Sequence, residues 1–141
     1  MIYIIDHQDS FTWNVVHQFS QFDKVYCSNY FEINNSLLNK SKTIVLSPGP
    51  GSPKDYPNTS KIYNKFKGRK KIIGICLGYQ QILHCENAKI IQQRRIFHGY
   101  QSEVKVVSNN PSLERILNLK SEDITHLSFK SHLLKKILIL L

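Results

Sequence analysis

The sequence predicts one α/β domain in which a parallel β-sheet carries helices on both faces. Short apolar, β-branched runs alternate with amphipathic segments along the chain, and this alternation is typical of a parallel sheet. The runs predicted to be buried strands cover residues 1–5, 24–27, 43–46 and 71–75. A chain of 141 residues is long enough for one hydrophobic core, so residues 1–141 are expected to form a single domain.

The segments between these strands are predicted to be helices. Ser10 is the expected cap of the first helix, whose apolar residues recur at helical spacing: Phe11, Val15, Val16 and Phe19. Helical patterns also cover residues 31–39, 60–66 and 78–88. Two further strands are expected at residues 89–92 and 102–107.

The composition indicates a packed protein outside the membrane. Hydrophobic residues make up 41% and charged residues 21% of the chain, as in ordinary globular domains. Each apolar run is far shorter than the roughly 20 residues that span a bilayer, so no membrane association is expected. Three cysteines without framework spacing and the lack of a secretory leader predict a reducing, cytoplasmic location.

The net charge of +9 raises the question of an anionic partner such as nucleic acid. The basic residues, however, occur singly or in short groups, without a helix-turn-helix or zinc-finger pattern. Nucleic-acid binding is therefore not expected, although a basic binding protein stays an alternative. His and Cys residues also lack metal-ligand spacing, so neither a metal nor a cofactor is predicted.

The segment around Cys76 carries the strongest chemical signal. An apolar strand delivers Cys76 into a Gly-x-Cys-x-Gly turn, and a helix is predicted to start immediately afterwards. This is the arrangement of a nucleophile elbow, in which the glycines let the backbone turn sharply and a helix N-terminus stabilises a thiolate. The alternative is that Cys76 is a buried core residue, because free cysteines are often buried.

A second signal is the loop Ser47–Pro53, which alternates proline and glycine directly after the third predicted strand. Ligands of open α/β sheets bind beyond the carboxyl ends of the strands, where this loop is expected to lie. Its backbone amides could donate to an oxyanion or grip a substrate. A plain connecting turn is the alternative.

Three segments in this order and spacing resemble the class I glutamine amidotransferases, most closely the glutaminase subunits of anthranilate synthase and aminodeoxychorismate synthase. They are Asp6–Asn14, Leu46–Pro53 and Gly74–Gln80, and a shorter match is His98–Gly99 with Ser102. The resemblance covers roughly residues 1–107. It implies a flavodoxin-like fold, glutamine as substrate and, as partner, a synthase subunit that binds chorismate, in tryptophan or folate-precursor synthesis.

The resemblance also implies roles for individual residues. Cys76 matches the family's nucleophile, which attacks the side-chain amide of glutamine. The family's substrate-binding and oxyanion positions correspond to Gly49, Pro50, Gly51, Leu77 and Gln80. A later binding segment of the family is matched best by a short stretch that contributes Ser131. Tyr79 stands where the family usually has His, at a position that is not the catalytic base.

The sequence departs from the family in its C-terminal part. The family supplies its catalytic base and orienting acid in a His-Pro-Glu motif, which these 141 residues do not contain. His126 and His132 are weak substitutes because they lie in a segment that the family uses for binding. An incomplete C-terminal portion, and a catalytically inactive remnant, are therefore the alternative interpretation. The apolar run at 137–141 is expected to mark an early stop or a terminal strand docked in the sheet.

Overall fold

A computed structural model describes residues 1–88 and the strand at 137–140. The elements, in chain order, are β1 (Ile2–Asp6), α1 (Thr12–Ser20), β2 (Val25–Asn29), α2 (Asn35–Lys40), β3 (Thr43–Leu46), a 3₁₀ turn (Pro53–Asp55), α3 (Pro57–Phe66), β4 (Lys71–Ile75), α4 (Leu77–Cys85) and β5 (Ile137–Leu140). The strands predicted at 89–92 and 102–107 lie outside the described residues, as do the matches at His98–Gly99 and Ser102 and the candidates Ser131, His126 and His132.

The strands form one parallel sheet in the order β2-β1-β3-β4-β5. This is the flavodoxin-like order, so the predicted fold class is confirmed. The direction of winding changes between β1 and β3, which are hydrogen-bonded neighbours with Ile2 opposite Thr43. The apolar run near the C-terminus forms β5, with Ile137 opposite Ile72, and so fits the docked-strand alternative for this segment.

Each face of the sheet carries its own apolar core. Alternate side chains of a strand point to opposite faces, so Tyr3 and Ile5 pack on one side and Ile2 and Ile4 on the other. The first face is covered by residues of α2, α3 and α4: Leu38, Tyr63, Phe66 and Ile82. The second face is covered by α1 through Val15, with half-buried Val16 and Phe19 beside it. The predicted helices on both faces are confirmed.

The start of α1 differs from the sequence prediction. Ser10 does not cap the helix; Phe11 is the N-cap residue and makes no side-chain capping bond. The turn is held instead by Asp9, whose carboxylate accepts from the Phe11 N–H at 2.8 Å, and by Asp6, which accepts from the Thr12 hydroxyl at 2.8 Å. As a consequence Phe11 lies at the turn with 48% of its surface exposed, outside the predicted apolar face.

The other helix boundaries have simple local causes. Asn34 caps α2 by accepting from the Leu37 N–H at 3.1 Å, so this helix begins later than its apolar pattern suggested. Pro57 begins α3, because proline fits the first turn of a helix, where its missing N–H is not needed. Within the part of the chain that the structure describes, no helix is long and apolar enough to cross a membrane.

Candidate active site

The segments that follow β1, β3 and β4 meet at the carboxyl edge of the sheet. These strands are adjacent and parallel, so their carboxyl ends lie side by side. In such sheets ligands bind at the point where the winding direction changes, here between β1 and β3. The segments concerned are Asp6–His7, Ser47–Pro53 and the turn at Cys76, so the topology brings together two of the sequence-predicted site regions and one that was not predicted.

Cys76 forms the tight turn between β4 and α4. Its backbone has φ 50° and ψ −109°, a conformation that non-glycine residues rarely adopt. The Cys76 carbonyl accepts from the N–H groups of Tyr79 and Gln80, so the residue is the N-cap of α4. Strain of this kind persists where the surroundings enforce it and is concentrated at functional sites. The Cys76 residue is exposed, and the alternative of a buried core cysteine is wrong.

The glycines beside Cys76 serve a different purpose from the one predicted. Neither Gly74 nor Gly78 has a positive φ, so the sharp turn is made by Cys76 itself. A Cβ on Gly74 would lie 2.5 Å from the Gly78 carbonyl oxygen, and a Cβ on Gly78 would overlap the backbone of Leu46. The glycines therefore allow the first turn of α4 to pack directly against β4 and β3.

The two other cysteines are less suited to nucleophilic chemistry. Cys27 on β2 is half-buried, and burial, with the charge of Asp6, raises its pKa to about 11. Cys85 at the end of α4 is half-buried and packs against the apolar core. Thiol reactivity depends on the fraction of thiolate and on solvent access. Cys76 is the most accessible of the three cysteines and therefore the best candidate for a nucleophile.

The loop between β3 and the 3₁₀ turn, residues Ser47–Pro53, reaches the Cys76 turn through Gly49. A Cβ on Gly49 would lie 2.5 Å from the Cβ of His7 and 2.6 Å from Cδ2 of Leu77. Gly49 is therefore wedged between the residue after β1 and the first residue of α4. The structure thus brings together Gly49 and Leu77, both predicted site residues.

The outer part of this loop is held by side chains that follow it. Gly51 adopts φ 76°. The Asp55 carboxylate accepts from the N–H of Ser52 at 2.7 Å and from its hydroxyl at 3.0 Å. The Tyr56 hydroxyl donates to the carbonyl of Pro50 at 2.8 Å. Pro50 and Gly51 are exposed, so their backbone stands at the surface in a fixed conformation.

The remaining predicted residues are placed as follows. Gln80 is half-buried and lies in the first turn of α4, where its N–H donates to the Cys76 carbonyl at 3.1 Å. Ser131 lies outside the described residues, so its role stays a prediction. Among the described residues, no group of three or more acidic, His or Cys side chains forms a cluster that could hold a metal ion.

His7 is the main site residue that the sequence interpretation missed. The sequence assigns no role to this residue, yet its side chain is fully buried under the Ser47–Pro53 loop. Its Nδ1 lies 3.1 Å from the Ser47 carbonyl oxygen, and its Nε2 lies 3.1 Å from the Thr59 hydroxyl. Burial lowers the pKa of His7 to about 4. Its position directly after a central strand was the available signal.

Comparison with known protein families identifies the chain. The model of the class-I glutamine amidotransferase family matches residues 3–132, which is most of the sequence. The chain belongs to the class-I glutamine amidotransferases. The turn at Cys76 and the loop at Gly49 thus lie in segments that resembled this family on sequence alone, and the family resemblance is confirmed.

Curated relatives of this glutamine amidotransferase chain are subunits of two kinds of synthase. It is 35% identical over 111 residues to anthranilate synthase component 2 of Lactococcus lactis, covering 78% of this chain and 56% of the relative. The corresponding protein of Pyropia yezoensis is 37% identical over 122 residues, with coverages of 83% and 62%. Aminodeoxychorismate synthase component 2 of Escherichia coli is 30% identical over 107 residues, with coverages of 74% and 57%.

The amidotransferase chain therefore spans less than two thirds of the length of these relatives. The solved structure of a GMP synthase subunit from Thermoplasma acidophilum has the same fold, with a TM-score of 0.57 and 21% sequence identity. The alignment covers 70% of this chain and 50% of that one. At this level of identity the similarity concerns the fold alone.

Proposed function

We propose that this chain is the glutamine-hydrolysing subunit of a synthase that uses chorismate, and that it supplies ammonia to that partner. The position of Cys76 carries the proposal: an exposed thiol on a strained turn, at the N-terminus of a helix and beside a fixed glycine loop. Relatives named as component 2 of anthranilate and aminodeoxychorismate synthases support the synthase class. A cytoplasmic location stays part of this proposal.

In the proposed reaction the Cys76 thiolate attacks the side-chain carbonyl carbon of glutamine. The resulting oxyanion is stabilised by backbone N–H groups of Leu77 and of the Gly49–Gly51 loop. The carbon–nitrogen bond then breaks, and the nitrogen takes a proton and leaves as ammonia. Water cleaves the glutamyl thioester, which yields glutamate and restores the thiol. Glutamine and water thus become glutamate and ammonia.

The binding roles follow the same geometry. The exposed backbone of Pro50 and Gly51 would lie along the glutamine, and Gln80, one turn after Cys76, would donate or accept through its amide. Ser131 would add a further polar contact. A rigid loop suits this task because less conformational freedom is lost when the substrate binds.

A catalytically inactive chain that retains glutamine and partner binding is the second candidate. It is favoured by the sequence, since a His-Pro-Glu motif is not found in the 141 residues. Without a base and its orienting acid, protonation of the leaving ammonia is slow, and removal of a member of such a set costs several orders of magnitude in rate. This second candidate predicts negligible turnover by the 141-residue chain, with Cys76 still open to acylation.

The first experiment tests the nucleophile. A chloroketone analogue of glutamine should label Cys76 in preference to Cys27 and Cys85, as read by peptide mass mapping. Cys85→Ser is the matched control, because it removes a thiol from the other end of the same helix and should leave labelling unchanged. Labelling that is spread evenly over the cysteines, or that persists in full after Cys76→Ser, would contradict the proposal.

The second experiment tests turnover and partner. Purified component 1 subunits of the two synthase types are each supplied with chorismate and the 141-residue chain, with glutamine or with ammonium as nitrogen source. Product from ammonium but not from glutamine, together with Cys76 labelling, would indicate the inactive candidate. Glutamine-dependent product that is lost with Cys76→Ser would indicate the active one, and the synthase that responds identifies the partner.

A further inference from the structure

His7 lies where three elements of the candidate site meet. It follows β1 directly, its ring is fully buried, and its two nitrogens face different parts of the chain. Nδ1 faces Ser47, at the start of the loop after β3, and Nε2 faces Thr59, in the first turn of α3. The backbone N–H of His7 also donates to the Ser47 hydroxyl at 2.9 Å. A single side chain therefore joins β1, the loop and α3.

The partners of the ring fix which nitrogen carries the proton. The Ser47 carbonyl oxygen, 3.1 Å from Nδ1, can only accept a hydrogen bond, so Nδ1 must be the donor. A neutral imidazole then has Nε2 free to accept, and the Thr59 hydroxyl donates to it at 3.1 Å. The Ser47 hydroxyl, which accepts from the His7 N–H, donates in turn to the Pro48 carbonyl at 2.6 Å. Both ring nitrogens are thus satisfied without water.

The ring also supports the outer part of the loop. Tyr56 packs edge-on against the His7 ring, with centroids 4.8 Å apart, and its hydroxyl holds the Pro50 carbonyl. Gly49 lies against the Cβ of His7 so closely that it has no room for a side chain. Ser47, Pro48 and Pro50 are therefore linked, directly or through one neighbour, to this imidazole, and Gly49 lies against the Cβ of the same residue.

Burial keeps His7 neutral, against the effect of its polar neighbours. Its titratable neighbours are the carboxylate of Asp6 and the phenols of Tyr30 and Tyr56, and the Ser47 carbonyl and Thr59 hydroxyl complete its surroundings. The Ser47 carbonyl and Asp6 favour the protonated ring, but the cost of burying the charge is larger. The tautomer that the geometry requires is therefore the form present near neutral pH.

We propose that His7 is a positioning residue: by donating from Nδ1 to Ser47 and accepting at Nε2 from Thr59, it holds the Gly49–Gly51 backbone in the shape that binds glutamine. His7 does not touch the reacting atoms in this proposal. It acts through the loop, and the inference rests on the proposed function of that loop. Its effect should therefore fall on substrate-dependent acylation of Cys76 and spare the intrinsic reactivity of the thiol.

The variants follow from the geometry of the two bonds. His7→Asn places an amide N–H near the Nδ1 position but is too short to reach Thr59. Thr59→Val removes the hydroxyl with almost no change in shape, and Thr59→Ser restores it. His17→Asn is the matched control, because His17 is exposed on α1.

Each variant is labelled with the glutamine chloroketone, which needs the loop, and with iodoacetamide, which does not. His7→Asn and Thr59→Val should slow chloroketone labelling of Cys76 at least tenfold. They should also raise the chloroketone concentration at which the labelling rate is half-maximal. Iodoacetamide rates should stay within about twofold, and Thr59→Ser and His17→Asn should behave like the unmodified chain. Unchanged chloroketone kinetics in His7→Asn and Thr59→Val, or equal losses with both reagents, would overturn the positioning role.

A measurement without substrate separates this inference from the proposed function. Amide hydrogen exchange at Ser47, whose N–H donates to the Ile5 carbonyl at 3.1 Å, should become at least tenfold faster in His7→Asn and stay unchanged in His17→Asn. Unchanged exchange in His7→Asn overturns the role of His7 even if the chloroketone works as expected. Conversely, chloroketone labelling without preference for Cys76 in the unmodified chain would refute the proposed function. Faster amide exchange in His7→Asn would still support the structural role of His7 in fixing the loop.

Discussion

Acidification should weaken the fold through His7. Burial lowers the pKa of His7 from 6.5 to about 4 in the folded chain, although the Ser47 carbonyl and Asp6 act in the opposite direction. In the unfolded chain the imidazole takes up a proton near its ordinary pKa of 6.5. The stabilising contribution of a neutral His7 is therefore complete above pH 6.5, declines as the pH falls, and is lost below about pH 4.

The size of the effect follows from the two pKa values. The interval between 6.5 and about 4 is roughly 2.5 pH units, and each unit corresponds to about 1.4 kcal/mol. The full loss is therefore about 3 to 4 kcal/mol, of which about 2 kcal/mol is expected by about pH 5. This is a substantial part of the 5–15 kcal/mol that is typical of folded domains.

The assay is urea unfolding between about pH 7 and pH 4, followed by circular dichroism. His7→Gln stays neutral over this range, so the free energy of unfolding of the unmodified chain minus that of His7→Gln isolates the titration of His7. This difference should fall by about 2 kcal/mol between about pH 7 and pH 5. His17→Gln, which replaces an exposed histidine on α1, should instead follow the unmodified chain. A difference between the unmodified chain and His7→Gln that does not vary with pH would refute the reasoning.

Two further predictions concern the loop and the core. Gly51→Ala and Gly68→Ala both place alanine at φ 76°, which should cost about 1 kcal/mol at each position. Gly51→Ala should cost more, because its Cβ would also lie 2.6 Å from the Asp55 carboxylate, whereas the Cβ at Gly68 would meet nothing within 4 Å. Only Gly51→Ala should slow chloroketone labelling of Cys76, about tenfold; equal effects of the two would contradict the role of the loop. Tyr63→Phe removes a 2.8 Å hydrogen bond that lowers the Glu86 pKa, so that pKa should rise in an NMR titration, and no change would contradict the bond.

The parts of the fold that depend on local pattern could be predicted from the sequence. β1, β3 and β4 are continuous apolar runs because both faces of a central parallel strand are buried, and this signal is independent of distant residues. The site regions at Gly49 and Cys76 were found because proline fixes φ and glycine permits close approach and unusual backbone angles, so both mark special backbone positions in a sequence. The strand at 137–140 was open to two interpretations, because its pairing with β4, about 60 residues earlier in the chain, produces no local sequence pattern.

The failures concern features that arise only on packing. The residues after β1 are polar and carry no local sign of burial, yet His7 is buried because the loop after β3 folds over it. The role of Gly74 and Gly78 depends on how closely α4 approaches two strands, which the motif alone does not state. Ser10 failed as a cap because the carboxylates of Asp9 and Asp6 bind the Phe11 N–H and the Thr12 hydroxyl and hold the chain in another geometry.

The backbone of Cys76 has a consequence for how this chain can change over generations. The residue that would relax a φ of 50° is glycine, which has no thiol, and such strain typically costs about 1–3 kcal/mol. Selection for folding alone would therefore favour loss of the nucleophile, whereas selection for chemistry opposes it. Cysteine at this position in a natural variant would thus signal continued use of the site, and glycine there would signal its abandonment.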